Sequence, residues 1–265
     1  MEPLVINAEK VSEILENFMR QKLSEAGFNH VVLGLSGGID SSTVAYLAKR
    51  ALGAENVFGI NMPYRTSSQQ SADDAQLVAS GLGINFTTIE ITEMVDAYFN
   101  RYPDANSLRR GNLMARERMV ILYDQSSLLK ALVLGCGNKT ELLLGYCTLH
   151  GDTACAMIPL GDLYKTQVRA LARYLGVPEM IIQKAPTADL WPGQTDEDEL
   201  GFAYEEVDKL LYFMIEKKYT LEELKEIGFT ESFIREVSSK IKKVQYKRCL
   251  PPIPRINSMF IVNCV

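Results

Sequence analysis

Histidine is nearly missing from this 265-residue chain, which has only His30 and His150. Cysteine is sparse too: Cys136, Cys147, Cys155, Cys249 and Cys264 make an odd number with no C-x-x-C pair. That pattern excludes a disulfide framework and a zinc knuckle. No apolar run approaches the ~18 residues that would span a membrane. The N-terminus, MEPLVINAEKVSEIL, carries early acids and no apolar core, so it does not read as a secretory signal. Positive charge is not in excess: 28 Lys and Arg face 33 Asp and Glu, a net charge of −5. A general duplex-binding protein is usually basic, so no nucleic-acid partner is expected, and no membrane partner either. A local basic cleft for a small anion stays open. With 10 Pro and 18 Gly the chain is neither collagen-like nor disordered. The expectation is a reduced, cytoplasmic protein whose residues 1–265 form one domain.

What is present alternates. Val11, Ile14, Leu15, Phe18, Met19 and Leu23 fall at helical spacing within 8–27, and Gly27 supplies a stop. The runs 31–35 (VVLGL), 57–61 (VFGIN), 84–91 (INFTTIEI) and 131–135 (ALVLG) read as strands. Helices are predicted over about 41–52, 67–82, 92–100, 112–130 and 138–144. Strands alternating with helices imply crossover connections and a mostly parallel sheet, covered on both faces. Beyond residue 160 the pattern is helical, over 163–176, 204–218, 220–228 and 230–248. Thr220 with Glu223 forms a capping box at the third of these. The fold class is therefore α/β, a parallel sheet flanked by helices with a helical C-terminal part. The segment 184–201, KAPTADLWPGQTDEDELG, lacks apolar periodicity and reads as a long loop. Such loops are uncommon and often functional.

The strongest local signal is GLSGGIDSS, Gly34 to Ser42, which closes the first strand and opens a helix. Small residues let the backbone wrap a phosphate, and the amides at the helix N-terminus face an anion. Ser36, Ser41 and Ser42 add hydroxyls, and Asp40 makes sense as a ligand to Mg²⁺. Gly34-Leu35-Ser36-Gly37-Gly38 also fits the nucleophile elbow G-x-S-x-G. That reading needs an acid and then a histidine later in the chain, and only His150 follows the serine. No G-K-[ST] follows, so the turn is not a Walker loop.

SGGIDSS resembles the PP-loop of the N-type ATP pyrophosphatases, which adenylate an oxygen of a second substrate. Further stretches resemble NAD synthetase in order and spacing: RGNLMARERM (110–119), GNKTELLLGYCTLHGD (137–152), PLGDLYKTQVRALARYLGVP (159–178), APTADLWPGQTDEDELGF (185–202) and YKRCLPP (246–252). The resemblance spans nearly the whole chain, and the acidic loop is its most specific piece. It implies a Rossmann-like fold of the adenine nucleotide α-hydrolase type. It also implies a ligase that turns deamido-NAD, ATP and ammonia into NAD, AMP and pyrophosphate through an adenylate.

On that resemblance, Gly34, Leu35, Ser36, Gly37, Gly38, Ile39, Asp40, Ser41 and Ser42 form the ATP turn. Asp40 and Glu141 match Mg²⁺ carboxylates, and Lys165 a phosphate lysine; these three are the expected catalytic groups. Cys136 and Thr187 match positions facing ATP. Asn112, Arg116, Asp152 and Lys247 match the deamido-NAD site. The 184–201 loop becomes a lid that keeps water from the adenylate, with Trp191 packing in it. The base that takes the proton from ammonia is left unassigned. Family members are homodimers with deamido-NAD at the subunit boundary, which makes the first helix and 112–130 interface candidates.

Some positions depart from the pattern. Cys136 stands where a threonine is usual, Tyr246 where many short members have histidine, Leu149 for a lysine and Ala156 for an acid. Here the chain is closer to the synthetase half of glutamine-dependent enzymes. The PP-loop strand already begins at Val31, which leaves no room for their N-terminal glutaminase. Free ammonia and a separate glutaminase subunit are both open as nitrogen sources. The rival readings are a PP-loop enzyme acting on another acceptor, such as a tRNA base, and a non-catalytic nucleotide sensor. The acidic charge balance and scattered cysteines speak against the tRNA enzyme. A sensor would need neither Asp40 nor Glu141.

Overall fold

The apolar runs become four short parallel strands in a computed structural model that describes residues 4–191 and 193–254; Cys264 lies outside them. They are β1 (His30–Gly34), β2 (Val57–Asn61), β3 (Asn85–Thr88) and β4 (Ala131–Leu134), in the order β3-β2-β1-β4. The register pairs Gly34 with Ile60 and Leu33 with Leu134, so the carboxyl ends of β1, β2 and β4 finish along one edge. Strands are added outward from β1 through β2 to β3, and then β4 returns to β1's free side. That reversal is a topological switch point, where an open α/β sheet leaves a crevice at its carboxyl edge.

Helices α1 (Ala8–Ala26), α2 (Ile39–Leu52), α3 (Gln69–Leu82) and α7 (Lys165–Leu175) cover one face. Val31, Leu33 and Leu35 point into that layer, against Met19, Leu47 and Leu171. Val32, between them, joins the opposite layer under α4 (Thr92–Phe99) and α5 (Ser107–Leu129), with Ile60, Val95, Ile121 and Val133. The alternation is the strand period of two, and the middle of β1, Val31 to Leu33, is apolar because both its faces are buried. A third cluster unites α6 (Lys139–Leu144) with the C-terminal helices α10 (Tyr204–Leu211), α11 (Leu221–Glu226) and α12 (Glu231–Lys243), through Leu144, Tyr204, Val207, Leu224 and Val237. The short helices α8 (Glu179–Gln183) and α9 (Asp196–Leu200) complete the chain order. Among the described residues no helix is long and apolar enough to cross a membrane.

The elements differ from expectation in several places. β3 is shorter than 84–91 and mostly exposed, so the sheet is not covered at that edge. α5 starts five residues before 112, where the Asn106 side chain accepts the Arg109 amide and caps it. The 184–201 segment is not all loop, because Thr195 caps α9 within it. The predicted 204–218 helix stops being α at Leu211 and widens into a π turn over Tyr212–Glu216; 230–248 ends as α-helix at Lys243.

Gly37 shows why the β1–α2 turn needs glycine. Its φ is +78°, and a Cβ there would lie 2.2 Å from the Ser71 carbonyl oxygen on α3. Both the backbone conformation and the approach of α3 exclude a side chain. Gly37→Ala is expected to cost about 2–3 kcal/mol, from left-handed strain plus the clash. Urea denaturation read by circular dichroism measures the loss; an unchanged midpoint would show that the turn tolerates a Cβ.

Candidate active site

The turn after β1 is held by its own polar atoms before any ligand arrives. The Ser41 hydroxyl accepts the Ser36 amide at 3.2 Å and donates to the Gly38 carbonyl at 3.2 Å. The Ser36 hydroxyl accepts the Gly38 amide at 3.3 Å. Asn61, at the end of β2, donates to the Leu35 carbonyl at 2.9 Å and ties the turn to the neighbouring strand. Ser42 faces inward: it is fully buried, and its hydroxyl bonds to the Gly38 carbonyl at 2.8 Å. Neither Ser42 nor Gly37 is among the residues lining the cleft.

That cleft is a cavity of about 770 Å³ over the carboxyl edge of the sheet. It is lined by Gly34, Leu35, Ser36, Gly38, Ile39, Asp40 and Ser41 from the turn, with Cys136, Glu141, Lys165 and Thr187. Asn112, Arg116, Asp152 and Lys247 line it as well, so residues more than a hundred positions apart meet in one space.

At its floor Lys165 is 2% exposed. Its Nζ donates to Asp40 Oδ2 at 2.5 Å and to Glu141 Oε1 at 3.1 Å. The three groups come from the first turns of α7, α2 and α6. Burial works against the ammonium, but the Asp40 and Glu141 charges outweigh it and hold Lys165 above its ordinary pKa. Burial pushes Glu141 up, with Lys165 opposing and Asp40 reinforcing the rise. The Tyr204 ring lies 5.2 Å from the Lys165 ammonium. Cys136 is half-buried, its thiol 3.9 Å from the Gly34 carbonyl; burial and the Asp40 charge raise its pKa, so it stays a neutral thiol.

The oxygens of Asp40 and Glu141 are hard donors suited to a divalent cation. Asp196 lies in the same field, with its Oδ1 buried and without a hydrogen-bond partner. No three metal-ligating side chains converge tightly among the described residues, so a cation here would take further ligands from a bound phosphate.

The predicted dinucleotide residues are engaged with one another's loops. Asn112 accepts the Thr148 hydroxyl at 2.9 Å, Asp152 accepts the Thr148 amide at 2.6 Å, and Arg116, largely exposed, donates to the Leu149 carbonyl at 3.2 Å. Lys247 donates to the carbonyls of Gly145 and Cys147 at 2.8 and 2.7 Å. An ammonium has three donors, so one is left toward the cleft that Lys247 lines.

Described residues of the 184–201 segment line the cleft, and its first half is pinned. Lys184 pairs with Asp74 of α3 at 2.8 Å, and Asp189 accepts the Ser68 amide at 3.0 Å. Leu190 and Trp191 sit against Gly111 of α5, where a Cβ would meet Leu190 at 2.8 Å. Trp191 therefore anchors the segment to α5. Thr187 accepts the Asp189 amide at 3.0 Å, and the Asp196 amide donates to the Pro186 carbonyl at 2.9 Å.

Three contributors were not anticipated. Asn138 donates to Asp40 Oδ1 at 3.0 Å and forms a capping box with Glu141. The letters N-K-T-E already carried that signal. Arg118 donates to the Met62 carbonyl at 2.9 Å and lines the cleft; burial lowers its pKa to about 10 against the pull of Asp189. Tyr204 belongs to a helix that sequence placed outside the site, and no local signal marked it.

A family model described as NAD synthase matches residues 11–251. The NH(3)-dependent NAD(+) synthetase of Trichlorobacter lovleyi is 52% identical over 261 residues, 98% of this chain and 96% of that protein. Among solved structures, the NMN synthetase of Francisella tularensis superposes with a TM-score of 0.84 at 30% identity, covering 95% of this chain and all of the other. The NH3-dependent NAD synthetase of Campylobacter jejuni, in complex with nitrate, superposes with a TM-score of 0.81 at 36% identity, covering 94% and 100%.

Lys165→Met would leave two adjacent buried carboxylates without their cation. Removing one partner of such a cluster costs about 3–5 kcal/mol. Glu141 has a folded pKa above its unfolded value, so it disfavours folding increasingly as pH rises through the interval between the two; the lysine's removal widens that interval. The loss in the ligand-free variant is thus expected to be larger at pH 7.5 than at pH 5. Denaturant titrations at both pH values test this; equal losses would place the carboxylates in free contact with water.

Proposed function

The chain belongs to the NAD synthase family, and we propose that it amidates deamido-NAD with ammonia and ATP in the cleft above β1. The product is NAD, with AMP and pyrophosphate released. The observation that carries this reading is the Asp40–Lys165–Glu141 cluster beside a glycine- and serine-rich turn at the sheet's switch point.

A carboxylate is a poor electrophile and must first acquire a leaving group. The nicotinate carboxylate attacks the α-phosphorus of ATP, the bond to the bridging oxygen breaks, and pyrophosphate departs with the electron pair. Such a step depends on alignment and on neutralising charge. Ser36, Gly38 and Ser41 present amides and hydroxyls to the departing phosphates, and the Lys165 ammonium supports the charge that develops there. Asp40 and Glu141 would hold Mg²⁺, which when bound neutralises phosphate charge. Asn138 keeps Asp40 turned toward this place by holding its other oxygen. Cys136 and Thr187 lie along the ATP side. Asn112, Arg116, Asp152 and Lys247 hold deamido-NAD, with the Arg116 guanidinium free to fork onto an anionic group.

Ammonia then attacks the acyl carbon and AMP leaves. Water would react at the same carbon, so the segment from Lys184 to Gly201 acts as a lid. Its anchors on α3 and α5 support that role.

We further propose a homodimer formed through α5. Leu108, Val120 and Leu128 are each more than half exposed along this one helix, Val120 and Leu128 toward one side and Leu108 at its start on another. Leu108 also lines the cleft, so a partner that reached from Val120 and Leu128 round to the start of α5 would close one side of the deamido-NAD site. The four described cysteines are free thiols, which fits a reducing cytoplasm.

Incubation with ATP, Mg²⁺, deamido-NAD and ammonium is expected to yield NAD and AMP one for one. AMP without NAD would mean another acceptor, for which nicotinate mononucleotide is the first to try. Asp40→Asn and Glu141→Gln should each lower the rate about 100-fold or more. Unchanged rates in either would reject the charge-neutralising role. In sedimentation velocity the wild type is expected to run as a dimer, and Val120→Glu with Leu128→Glu as a monomer; a monomeric wild type would exclude the α5 interface.

A further inference from the structure

Asp208 is wholly buried on α10 and does not line the cleft. It lies one helical turn after Tyr204, so both side chains leave the same face. Tyr204 covers the Lys165 ammonium, while Asp208 reaches the backbone at the other end of that residue. Asp208 Oδ1 accepts the Thr140 hydroxyl at 2.5 Å, and Oδ2 accepts the Thr166 amide at 2.8 Å. The Thr140 hydroxyl accepts the Lys165 amide at 3.0 Å. Thr140 immediately precedes Glu141, and Thr166 immediately follows Lys165. One carboxylate therefore holds the chain beside both groups.

The placement is costly for a structural role alone. Among the described residues the charge is met by one hydroxyl, by one amide at the start of α7 and by no ion pair. An apolar side chain of similar volume would pack against Val207 and Leu211 without that desolvation. At the start of α7 the Gln167 side chain accepts the Tyr164 amide at 3.0 Å, and Asp208 caps the Thr166 amide from a different element.

We propose that Asp208 is a positioning residue for adenylation, setting the spacing of Lys165 and Glu141 through Thr166 and Thr140. The inference rests on the reading of those two groups given above. Its elements are α6, α7 and α10; the residues assigned to deamido-NAD sit on α5, the 145–152 turn and the 245–248 turn. Losing the bridge should therefore disturb ATP handling and turnover and spare deamido-NAD binding.

An amide replaces one of the two acceptor oxygens with an NH2 donor, so in Asp208→Asn either the Thr166 amide or the Thr140 hydroxyl loses its acceptor in the present arrangement. It is expected to lower kcat about 10- to 100-fold and leave the KM for deamido-NAD within about twofold. Thr140→Val, which keeps shape and removes the hydroxyl, should reproduce this, and Thr140→Ser should restore near wild-type turnover. The double variant Asp208→Asn with Thr140→Val should be no slower than the worse single one, because both break one path. Additive effects, or kcat and both KM values moving together in step with a fall in Tm, would reduce Asp208 to a structural cap. Should Asp208→Asn fail to fold, the Thr140→Val and Thr140→Ser pair carries the comparison: equal kcat in both overturns the proposal. A wild type that forms no NAD would overturn the reading of Lys165 and Glu141, and this inference with it. An active wild type with Thr140→Val unimpaired would overturn this inference alone.

Discussion

A single buried ammonium organises the centre of this molecule. Lys165 is removed from water, which is expensive for a charge, and only the two carboxylates against it make the position tolerable. Those carboxylates lie on α2 and α6, while the lysine starts α7. Three helices must therefore begin at one point in space. The sheet order provides that point: α2 and α6 follow β1 and β4, which are adjacent, and both helices start at the same edge. Two carboxylates against one ammonium leave the floor of the cleft acidic. That is a state in which a divalent cation and a polyphosphate are both welcome, each supplying what the other lacks.

Short-range chemistry was readable and long-range support was not. The turn from Gly34 to Ser42 declares itself because small residues, hydroxyls and a carboxylate lie within a few positions of a strand end. Even there, sequence could not tell which serine faces the cleft. Ser41 and Ser42 read alike, and only the start of α2 at Ile39 turns Ser42 into the core. α9 escaped notice because a five-residue helix that buries only Asp196 and Leu200 has too little length to show a period. Lys247 read as a substrate contact, and the fold adds backbone carbonyls to its partners.

The part of the site that sequence could not supply comes from the C-terminal helices. Their apolar periodicity predicted helices correctly but said nothing of where they dock. Tyr204 contacts Lys165 across 39 positions of chain, and Asp208 contacts Thr140 across 68. Neither separation leaves a trace in local pattern, since α10 alone reads as an ordinary amphipathic helix. Its docking face nonetheless carries a phenol and a carboxylate into the rear of the Lys165 cluster. The C-terminal half is thus not an appendage to a nucleotide-binding sheet but the wall against which its lysine is set.

The same helix also bears on the lid. The Tyr204 hydroxyl donates to Asp196 at 3.1 Å, and the Tyr204 amide donates to Glu197 at 3.0 Å, so α9 is fastened to the element that backs Lys165. At its other end the segment is fastened to α3 through Lys184 and Asp74. α3 is the helix that presses on Gly37 in the phosphate turn. The segment's first foot stands on α3, and its second stands on α10 and, through the Tyr146 hydroxyl donating to Glu199 at 2.6 Å, on the 145–152 turn. Anchored in this way, the proposed lid touches both the phosphate turn's neighbour α3 and the turn that carries Asp152, and Leu190 rests on α5 at Gly111, next to Asn112. A segment that contacts both sides of the cleft suits chemistry in which an adenylate must be shielded from water from the moment it forms.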